Sequence, residues 1–449
     1  MRRKIYDRLK KWKTDKCGKT ALLIEGARRV GKSYIVEEFA KNEYDTYAMI
    51  NFSHNAAKIS RLFSDDTSDI PLLLQKLSDL CGVTFIPRKT LIIFDEVQMC
   101  PKARECIKFL VEDGRYDYIE TGSLVSIHDN VKDIVIPSEE EKVKMYPMDF
   151  EEFCWAMGNE TAIPSIRRHF KEKTPFGKDV HDTFLGLFRQ YVVVGGMPKA
   201  VETYVKTKDF GLVEEEKRMI LSLYAEDVGK RSDRFRRRTA ALFNAVPSEL
   251  SRHDKEFRIT AADANGKSSN YDEPMYWLED SMVVNICHNT DEPTRALGMN
   301  MKQNSVKIYM GDTGLLVTMA IGRSESAGHE VYRALLQDRL HLNEGMFMEN
   351  AVAQMLRCNG HDLYFHSFYK KNGDGTTGSN RYEIDFLTAD GKKVSPIEVK
   401  SGRSDVHASL DYIMKTQSKH LGQAYVLHTK DLKKEGNVLY LPIYMAICL

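Results

Sequence analysis

The sequence predicts an α/β protein in three parts: an α/β N-terminal third on a parallel sheet, a mostly helical middle and a second α/β part at the C-terminal end. The apolar runs "ALLIE" and "TLIIFD" are typical of buried parallel strands, and they alternate with helical stretches. Near the C-terminal end, two strand-like runs flank Asp390 and Gly391, which is a strong β-hairpin signal. We place the parts at residues 1–155, 156–330 and 331–449.

Composition excludes several classes of protein. The 65 basic and 64 acidic residues leave a net charge of +1, so any basic surface must be local. No apolar run approaches the roughly 20 residues that cross a bilayer. The basic first residues lack the apolar segment of a signal peptide, and Ile5, Leu9 and Trp12 instead predict an amphipathic helix. The eight cysteines form no C-x-x-C pair, which favours a reducing cytoplasm over disulfides or a zinc site.

A phosphate-binding loop is predicted between the first strand and the helix that follows it. The pattern G-x-x-x-x-G-K-[ST] is matched in full by Gly26, Ala27, Arg28, Arg29, Val30, Gly31, Lys32 and Ser33. The glycines let backbone N–H groups turn towards a phosphate, to which the helix N-terminus adds partial positive charge. Lys32 would reach the β- and γ-phosphates and Ser33 would ligate Mg²⁺. For the two arginines both a phosphate contact and solvated charge stay open. The strand and helix on either side argue against a chance match, and we expect ATP and Mg²⁺ to bind here.

Two later strands end in polar residues at the same expected edge of the sheet. "TLIIFDEVQ" places Asp95 to hold the Mg²⁺ shell, and Glu96 is the candidate base that deprotonates the attacking water. "YDYIETGS" ends in hydroxyl residues, of which Thr121 and Ser123 could report whether the γ-phosphate is present. A simple turn is the alternative for both hydroxyls.

The middle part predicts helices and one β-rich stretch. "NYDEPMYWLEDSMVVNICHN" indicates a helix that ends near Asp280 and is followed by strands, which resembles a winged helix. Its acidic helix fits a structural module better than a DNA-reading one. An arginine cluster lies close to an apolar stripe and comprises Arg236, Arg237, Arg238 and Arg252. It fits a solvated face, phosphate contacts to nucleic acid, or an arginine supplied to a neighbour's ATP site.

The C-terminal hairpin "RYEIDFLTADGKKVSPIEVKSG" predicts a carboxylate-rich face. If Asp390 and Gly391 form the loop, Ile384 faces Ile397 on the apolar side. Strand alternation then puts acidic residues on the other side, with Glu383 directly across from Glu398 and Asp385 diagonal to it, within about 7–8 Å.

Like charges placed opposite each other require a cation or a proton between them. Carboxylate oxygens favour Mg²⁺ or Mn²⁺ as that cation, and Lys400 on the same face could help to activate a water. A solvated hairpin face of mixed charge is the alternative.

These motifs together resemble the prokaryotic AAA+-type ATPases whose loop has the pattern GxRRxGK[ST] and whose acidic strand has the pattern DExQ. The stretches "YPMDFEEF", "VVGGMPKAV" and "KIYMGDTGLL" match the same family. The resemblance implies a C-terminal domain of the PD-(D/E)xK nuclease superfamily, whose pattern is present as Asp385, Glu398 and Lys400. It also implies one more acidic ligand from the preceding helix, and "NEGMFMENAVAQMLR" offers Glu349 for this role, with Glu344 as a weaker candidate.

The implied function is an ATP-governed action on DNA or RNA. The alternative is a regulatory switch that binds a protein partner and carries a non-cleaving nuclease-like domain. Whether the domain cleaves, and the oligomeric state, stay open from sequence.

Overall fold

The computed structural model describes residues 1–53, 59, 61–63, 69–123, 137–229, 232–252, 254–263, 266, 268–322, 332, 334, 336, 344–371, 376–391, 393–401 and 407–449. The chain divides into two compact units. The first holds Met1–Tyr146 with Asp280–Met282, and the second holds Pro147–Glu279 with Val283–Leu449.

The first unit alternates strands and helices, as its apolar runs predict. Its elements are α1 (Lys4–Lys16), β1 (Ala21–Glu25), α2 (Lys32–Glu43), β2 (Thr46–Asn51), α3 (Ile70–Cys81), β3 (Thr90–Asp95), α4 (Pro101–Asp113), β4 (Asp117–Gly122) and β5 (Glu140–Lys144). α1 buries Leu9 and Trp12, which confirms the predicted amphipathic helix. β1, β3 and β4 are buried along their whole length, as expected for strands covered on both faces.

The five strands of this unit form a parallel sheet in the order β2-β3-β4-β1-β5. The predicted parallel α/β core is therefore confirmed. Parallel pairing brings the carboxyl ends of neighbouring strands to one edge, and Asn51 at the end of β2 pairs with Asp95 at the end of β3. The loop after β1 lies at the same edge, where ligands bind in open α/β sheets.

The second unit begins with helices. They are α5 (Phe150–Ala156), α6 (Ala162–Glu172), α7 (Lys178–Val194), α8 (Pro198–Thr207), α9 (Phe210–Gly229), α10 (Asp233–Leu250), α11 (Ile259–Ala262) and α12 (Asp272–Asp280). Helices thus make up most of the described chain between Phe150 and Asp280. No helix in the described parts of the chain combines the length and apolar character that crossing a bilayer requires.

The remaining elements mix strands and helices. They are β6 (Val284–Thr290), β7 (Met301–Met310), α13 (Thr313–Ile321), α14 (Glu344–Cys358), β8 (Leu363–Lys371), β9 (Thr377–Asp390), β10 (Lys393–Val399), α15 (Ala408–Thr416), β11 (Ala424–His428), β12 (Lys433–Glu435) and β13 (Val438–Pro442). The eight strands form one mixed sheet in the order β12-β13-β11-β10-β9-β8-β6-β7.

This mixed sheet crosses the division predicted at residue 330. β6 pairs in parallel with β8 and antiparallel with β7, so both early strands continue the C-terminal sheet. The helix that ends at Asp280 is confirmed, but the strands after it do not form a separate wing. A strand pattern in the sequence predicts that a segment will pair with other strands, but it does not predict which sheet the segment joins.

The β9–β10 hairpin forms with a different register from the predicted one. Lys393 pairs with Asp390 and Ile397 pairs with Phe386, so the loop lies one residue later and every pairing moves by two residues. Gly391 adopts the left-handed region at φ 58°, which places the glycine at the first loop position. Because the shift is two residues, each side chain keeps its predicted face. Asp385, rather than Glu383, is now opposite Glu398.

Two glycine-containing stretches of the second unit pack against each other. α7 ends at Gly195, and the N–H of Gly196 donates to Asp312 Oδ2 at 2.6 Å. A Cβ on Gly196 would lie 1.9 Å from the Met148 carbonyl oxygen, and one on Gly314 would lie 2.6 Å from the Gly195 Cα. The stretches "VVGGMPKAV" and "KIYMGDTGLL" thus contain glycines because no larger residue fits this close approach.

Candidate functional site

The predicted phosphate-binding loop connects β1 to α2. Lys32, the first residue of α2, is buried, and its ammonium donates to the carbonyl oxygens of Gly26 and Ala27 at 2.9 and 3.0 Å. Burial lowers the pKa of Lys32 to about 8, although Glu96 and Asp95 oppose that shift. Gly31 takes a left-handed φ of 92°, which glycine adopts without a steric penalty.

The neighbours of the loop hold it in place. Arg3 donates to the Val30 carbonyl at 2.9 Å and to the Tyr146 carbonyl at 2.7 Å. A Cβ on Gly26 would lie 2.4 Å from the Met145 carbonyl oxygen. Arg28 and Arg29 are exposed, while Ala27 and Val30 are buried. Sequence reasoning did not find Arg3, because nothing local shows that its partner lies far along the chain.

Asp95 joins three strand ends and the loop. Its Oδ1 accepts hydrogen bonds from the hydroxyls of Ser33, at 2.6 Å, and Thr121. Its Oδ2 accepts from Asn51 Nδ2 at 2.7 Å. The structure thus brings together three of the predicted residues and adds Asn51, which the sequence analysis missed. These hydroxyl and carboxylate oxygens are hard donors, and they fit Mg²⁺.

Glu96 follows directly and has an unusual backbone. It adopts φ 57°, ψ 46°, a left-handed conformation that costs about 1–3 kcal/mol in a non-glycine residue. The side-chain amide of Gln98 donates to Glu96 Oε2, and the backbone N–H of Glu96 donates to Thr121 Oγ1 at 3.4 Å. The glutamine of the DExQ pattern therefore orients the predicted base.

The second predicted site lies on the mixed sheet of the second unit. We call Glu349, Glu383, Asp385 and Glu398 the carboxylate cluster. Asp385 Oδ2 accepts from the Val399 N–H at 2.8 Å, and Lys400 Nζ lies 2.7 Å from Glu398 Oε2. The cluster therefore contains the predicted metal ligands Asp385 of β9, Glu398 of β10 and Glu349 of α14. It also contains Glu383 of β9, which was predicted to share their face.

Two lysines that were not predicted as site residues contact this cluster. Lys307 on β7 has no exposed side-chain surface, and its ammonium lies 3.3 Å from Glu349 Oε1, 2.5 Å from Glu383 Oε1 and 3.8 Å from Asp385 Oδ1. Lys255 pairs with Glu349 Oε2. Lys307 belongs to the stretch "KIYMGDTGLL", and this motif is the only signal by which the sequence could have indicated it.

Burial and the neighbouring charges shift the pKa values of the cluster's carboxyl groups in opposite directions. Burial alone would raise the pKa of Glu349, but Lys255 and Lys307 outweigh it and hold that pKa at about 2. Burial, reinforced by Asp385, raises the pKa of Glu398 to about 7. Burial also raises the pKa of Asp385, with Glu349 adding to the effect.

The cluster does not have the arrangement of a metal centre. In the part of the chain that the structure describes, no three His, Cys, Asp or Glu side chains are placed to hold a metal ion. The predicted ligands Glu349, Asp385 and Glu398 instead contact ammonium, backbone and phenol donors of the protein. This arrangement does not fit a bound divalent metal.

The other predicted residues are the arginine cluster and Glu344. Arg236 pairs with Asp233 at 2.8 Å, Arg252 pairs with Glu249 at 3.1 Å, and Arg238 donates to the Asn270 carbonyl. Such local pairing favours a solvated face. Glu344, the weaker predicted ligand, is buried at the start of α14. No disulfide joins any of the eight cysteines.

Three parts of the chain match models of known protein families. Residues 18–154 match the model described as an AAA domain. Residues 185–326 and 344–445 match two models described as domains of unknown function, DUF8612 and DUF4143. The chain therefore carries a P-loop AAA-type ATPase domain, a class that binds ATP, on a parallel α/β core.

Several solved structures align with the chain at low similarity. The Walker-type ATPase PABY2304 of Pyrococcus abyssi is 15% identical, and the alignment covers 71% of this chain and 96% of that one with a TM-score of 0.43. CDC6P from Pyrobaculum aerophilum is 11% identical, with 75% and 94% covered and a TM-score of 0.25. VC1899 from Vibrio cholerae is 10% identical over 95% of both chains, with a TM-score of 0.19. No curated protein matches the chain.

Proposed function

We propose that the first unit hydrolyses ATP with Mg²⁺, and that the nucleotide state switches the activity of the protein. The observation that carries this proposal is the contact of Asp95 with Ser33 and Thr121 at the carboxyl edge of the sheet. It joins the loop that would hold the phosphates to the strand that carries the candidate base. Ser33 and Asp95 would hold Mg²⁺, which would neutralise phosphate charge.

The residues of the site have separate tasks in this reaction. The backbone N–H groups of Arg28 to Ser33 and the N-terminus of α2 would bind the phosphates. The ammonium of Lys32 would leave its two carbonyl partners and contact the β- and γ-phosphates. Glu96 would accept a proton from the attacking water while Gln98 fixes its orientation. Thr121 would report the γ-phosphate through its bond to Asp95.

Two substitutions test this assignment. Lys32→Ala should abolish ATP binding, because it removes the ammonium that neutralises the phosphates. Glu96→Gln should keep binding but lower the turnover number by about 10²–10⁴-fold, because the amide cannot accept the proton. Titration calorimetry with MgATP and a steady-state phosphate-release assay measure the two effects. Normal turnover in Glu96→Gln would remove the assigned base.

The sequence offers two outputs for the switch: cleavage of DNA or RNA at the carboxylate cluster, and binding of a protein partner without cleavage. We propose the second, because the ammonium groups of Lys307 and Lys255 contact the carboxylates that a metal would need. In the competing proposal, Asp385, Glu398 and Glu349 hold a metal and Lys400 activates water to cut a phosphodiester.

Cleavage assays separate the two outputs. The full chain should leave single- and double-stranded DNA and RNA intact with Mg²⁺ or Mn²⁺, whether ATP, ADP or a non-hydrolysed ATP analogue is present. Metal-dependent cleavage that is lost in both Asp385→Ala and Lys400→Ala would establish the nuclease instead. The matched control is Lys302→Ala, which removes an exposed lysine from β7 that pairs with Asp291.

A further inference from the structure

Lys307 is enclosed by the carboxylate cluster. Its side chain has no exposed surface, and three carboxylates lie within 3.8 Å of its ammonium. A buried ammonium persists only where such charges compensate its loss of water. The three carboxylates come from α14 and β9. One ammonium group on β7 therefore compensates negative charge on two other elements.

The charges of the cluster are nearly balanced without any further cation. Its four carboxylates meet three ammonium groups, those of Lys255, Lys307 and Lys400. A divalent ion needs several carboxylate oxygens in direct contact with it. In this cluster the ammonium groups already lie next to those oxygens and would repel the ion.

Hydrogen bonds also direct the carboxylate oxygens towards the protein. The Tyr309 hydroxyl donates to Glu349 Oε1, and the Val399 N–H donates to Asp385 Oδ2 at 2.8 Å. Glu398 Oε2 lies 2.7 Å from Lys400 Nζ. Several of the oxygens that would bind a metal thus contact fixed donors of the protein, whereas Glu398 Oε1 is buried without a hydrogen-bond partner.

We propose that Lys307 is the resident cation of the carboxylate cluster and takes the place of a divalent metal. The lysine holds β7, β9 and α14 together electrostatically. This inference rests on the non-cleaving form of the proposed function, but it is independent of ATP hydrolysis in the first unit. It implies that removal of the ammonium turns the cluster into a genuine metal site.

Manganese binding tests this directly. The full chain, without nucleotide, is titrated with Mn²⁺, and free Mn²⁺ is followed by electron paramagnetic resonance. Wild type and Asp385→Asn should bind the same amount of Mn²⁺, because the cluster holds none. Lys307→Met should bind one additional Mn²⁺ per chain, and Lys307→Met with Asp385→Asn should lose it again.

Thermal unfolding gives a second measurement. Lys307→Met should lower the unfolding midpoint of the second unit by roughly 5–10 °C, because it leaves buried carboxylates unpaired, and Mn²⁺ should restore much of the loss. Lys302→Met on the same strand should change little, because that lysine is 44% exposed.

Two results would overturn the proposal. One is a Mn²⁺ site in wild type that Asp385→Asn removes, and this comparison decides the matter even if Lys307→Met fails to fold. The other is a folded Lys307→Met protein that binds no additional Mn²⁺. Neither result bears on ATP hydrolysis, which the Lys32 and Glu96 variants test separately.

Discussion

The ammonium of Lys32 donates to two backbone carbonyls and lies in a buried position. Burial lowers its pKa to about 8. A bound triphosphate adds negative charge next to this group and so favours its protonated form. Below pH 8, Lys32 of the nucleotide-free protein is already protonated. Above pH 8, Lys32 must take up a proton when ATP binds.

ATP affinity should therefore depend on pH in one direction. It should fall about tenfold per pH unit above roughly pH 8 as the free lysine loses its proton, and this lysine should contribute no slope below roughly pH 7. Calorimetric titrations at pH 9 in two buffers of different ionisation enthalpy measure the uptake. Binding at pH 9 with no proton uptake would show that Lys32 stays charged in the free protein.

Sequence reasoning found the residues of this site that belong to local motifs. Lys32, Ser33, Asp95 and Glu96 each follow from a strand or loop pattern of a few residues. Asn51 contacts Asp95 across 44 positions, and no local pattern marks such a partner. Lys307 was missed for the same reason, since its three carboxylates come from two later elements.

The β9–β10 hairpin shows a similar limit at the level of elements. Strand alternation correctly gave the face of Glu383, Asp385 and Glu398, because that face depends only on a period of two residues. The register depends instead on which residues the turn uses, and the turn begins at Gly391 rather than at Asp390. A turn signal locates a hairpin to within one or two residues.

The junction after α7 should tolerate no side chain. Gly196→Ala places a Cβ against the Met148 carbonyl oxygen, at 1.9 Å before relaxation. Backbone must move to accept it, so we expect the free energy of unfolding of the second unit to fall by about 3 kcal/mol. Urea denaturation followed by circular dichroism measures the change.

Gly186 provides the matched control for this change. It lies within α7, and a Cβ there would meet no atom within 4 Å. Gly186→Ala should stabilise the unit by about 0.5–1 kcal/mol, because alanine loses less backbone entropy in a helix. Equal effects of the two substitutions would contradict the packing argument.

On the scale of the molecule, each of the two compact units has a hydrophobic core of its own. The predicted division into three parts followed local strand and helix patterns and motifs, but the mixed sheet takes β6 and β7 from the predicted middle part. Sheet membership is decided by pairing between distant segments, which local composition does not record.

Nucleotide should stabilise only one unit. With MgATP at about 100 times its dissociation constant, the first unit should gain about 2.7 kcal/mol and its unfolding midpoint should rise by roughly 5–10 °C. Scanning calorimetry should show a second transition that does not move. Lys32→Ala should remove the shift, and an equal shift of both transitions would show that the units unfold together.

Helix α14 contributes to two places at once. Glu349 accepts from Lys307 and Tyr309, while Gln354, little more than one turn later, accepts from the Thr313 N–H at 2.8 Å and lies 3.4 Å from Asp312 Oδ2. Residues on one rigid rod cannot adjust separately. Energetic penalties from substitutions at these two positions of the helix should therefore be non-additive, and a change at one position would have to be accommodated at the other.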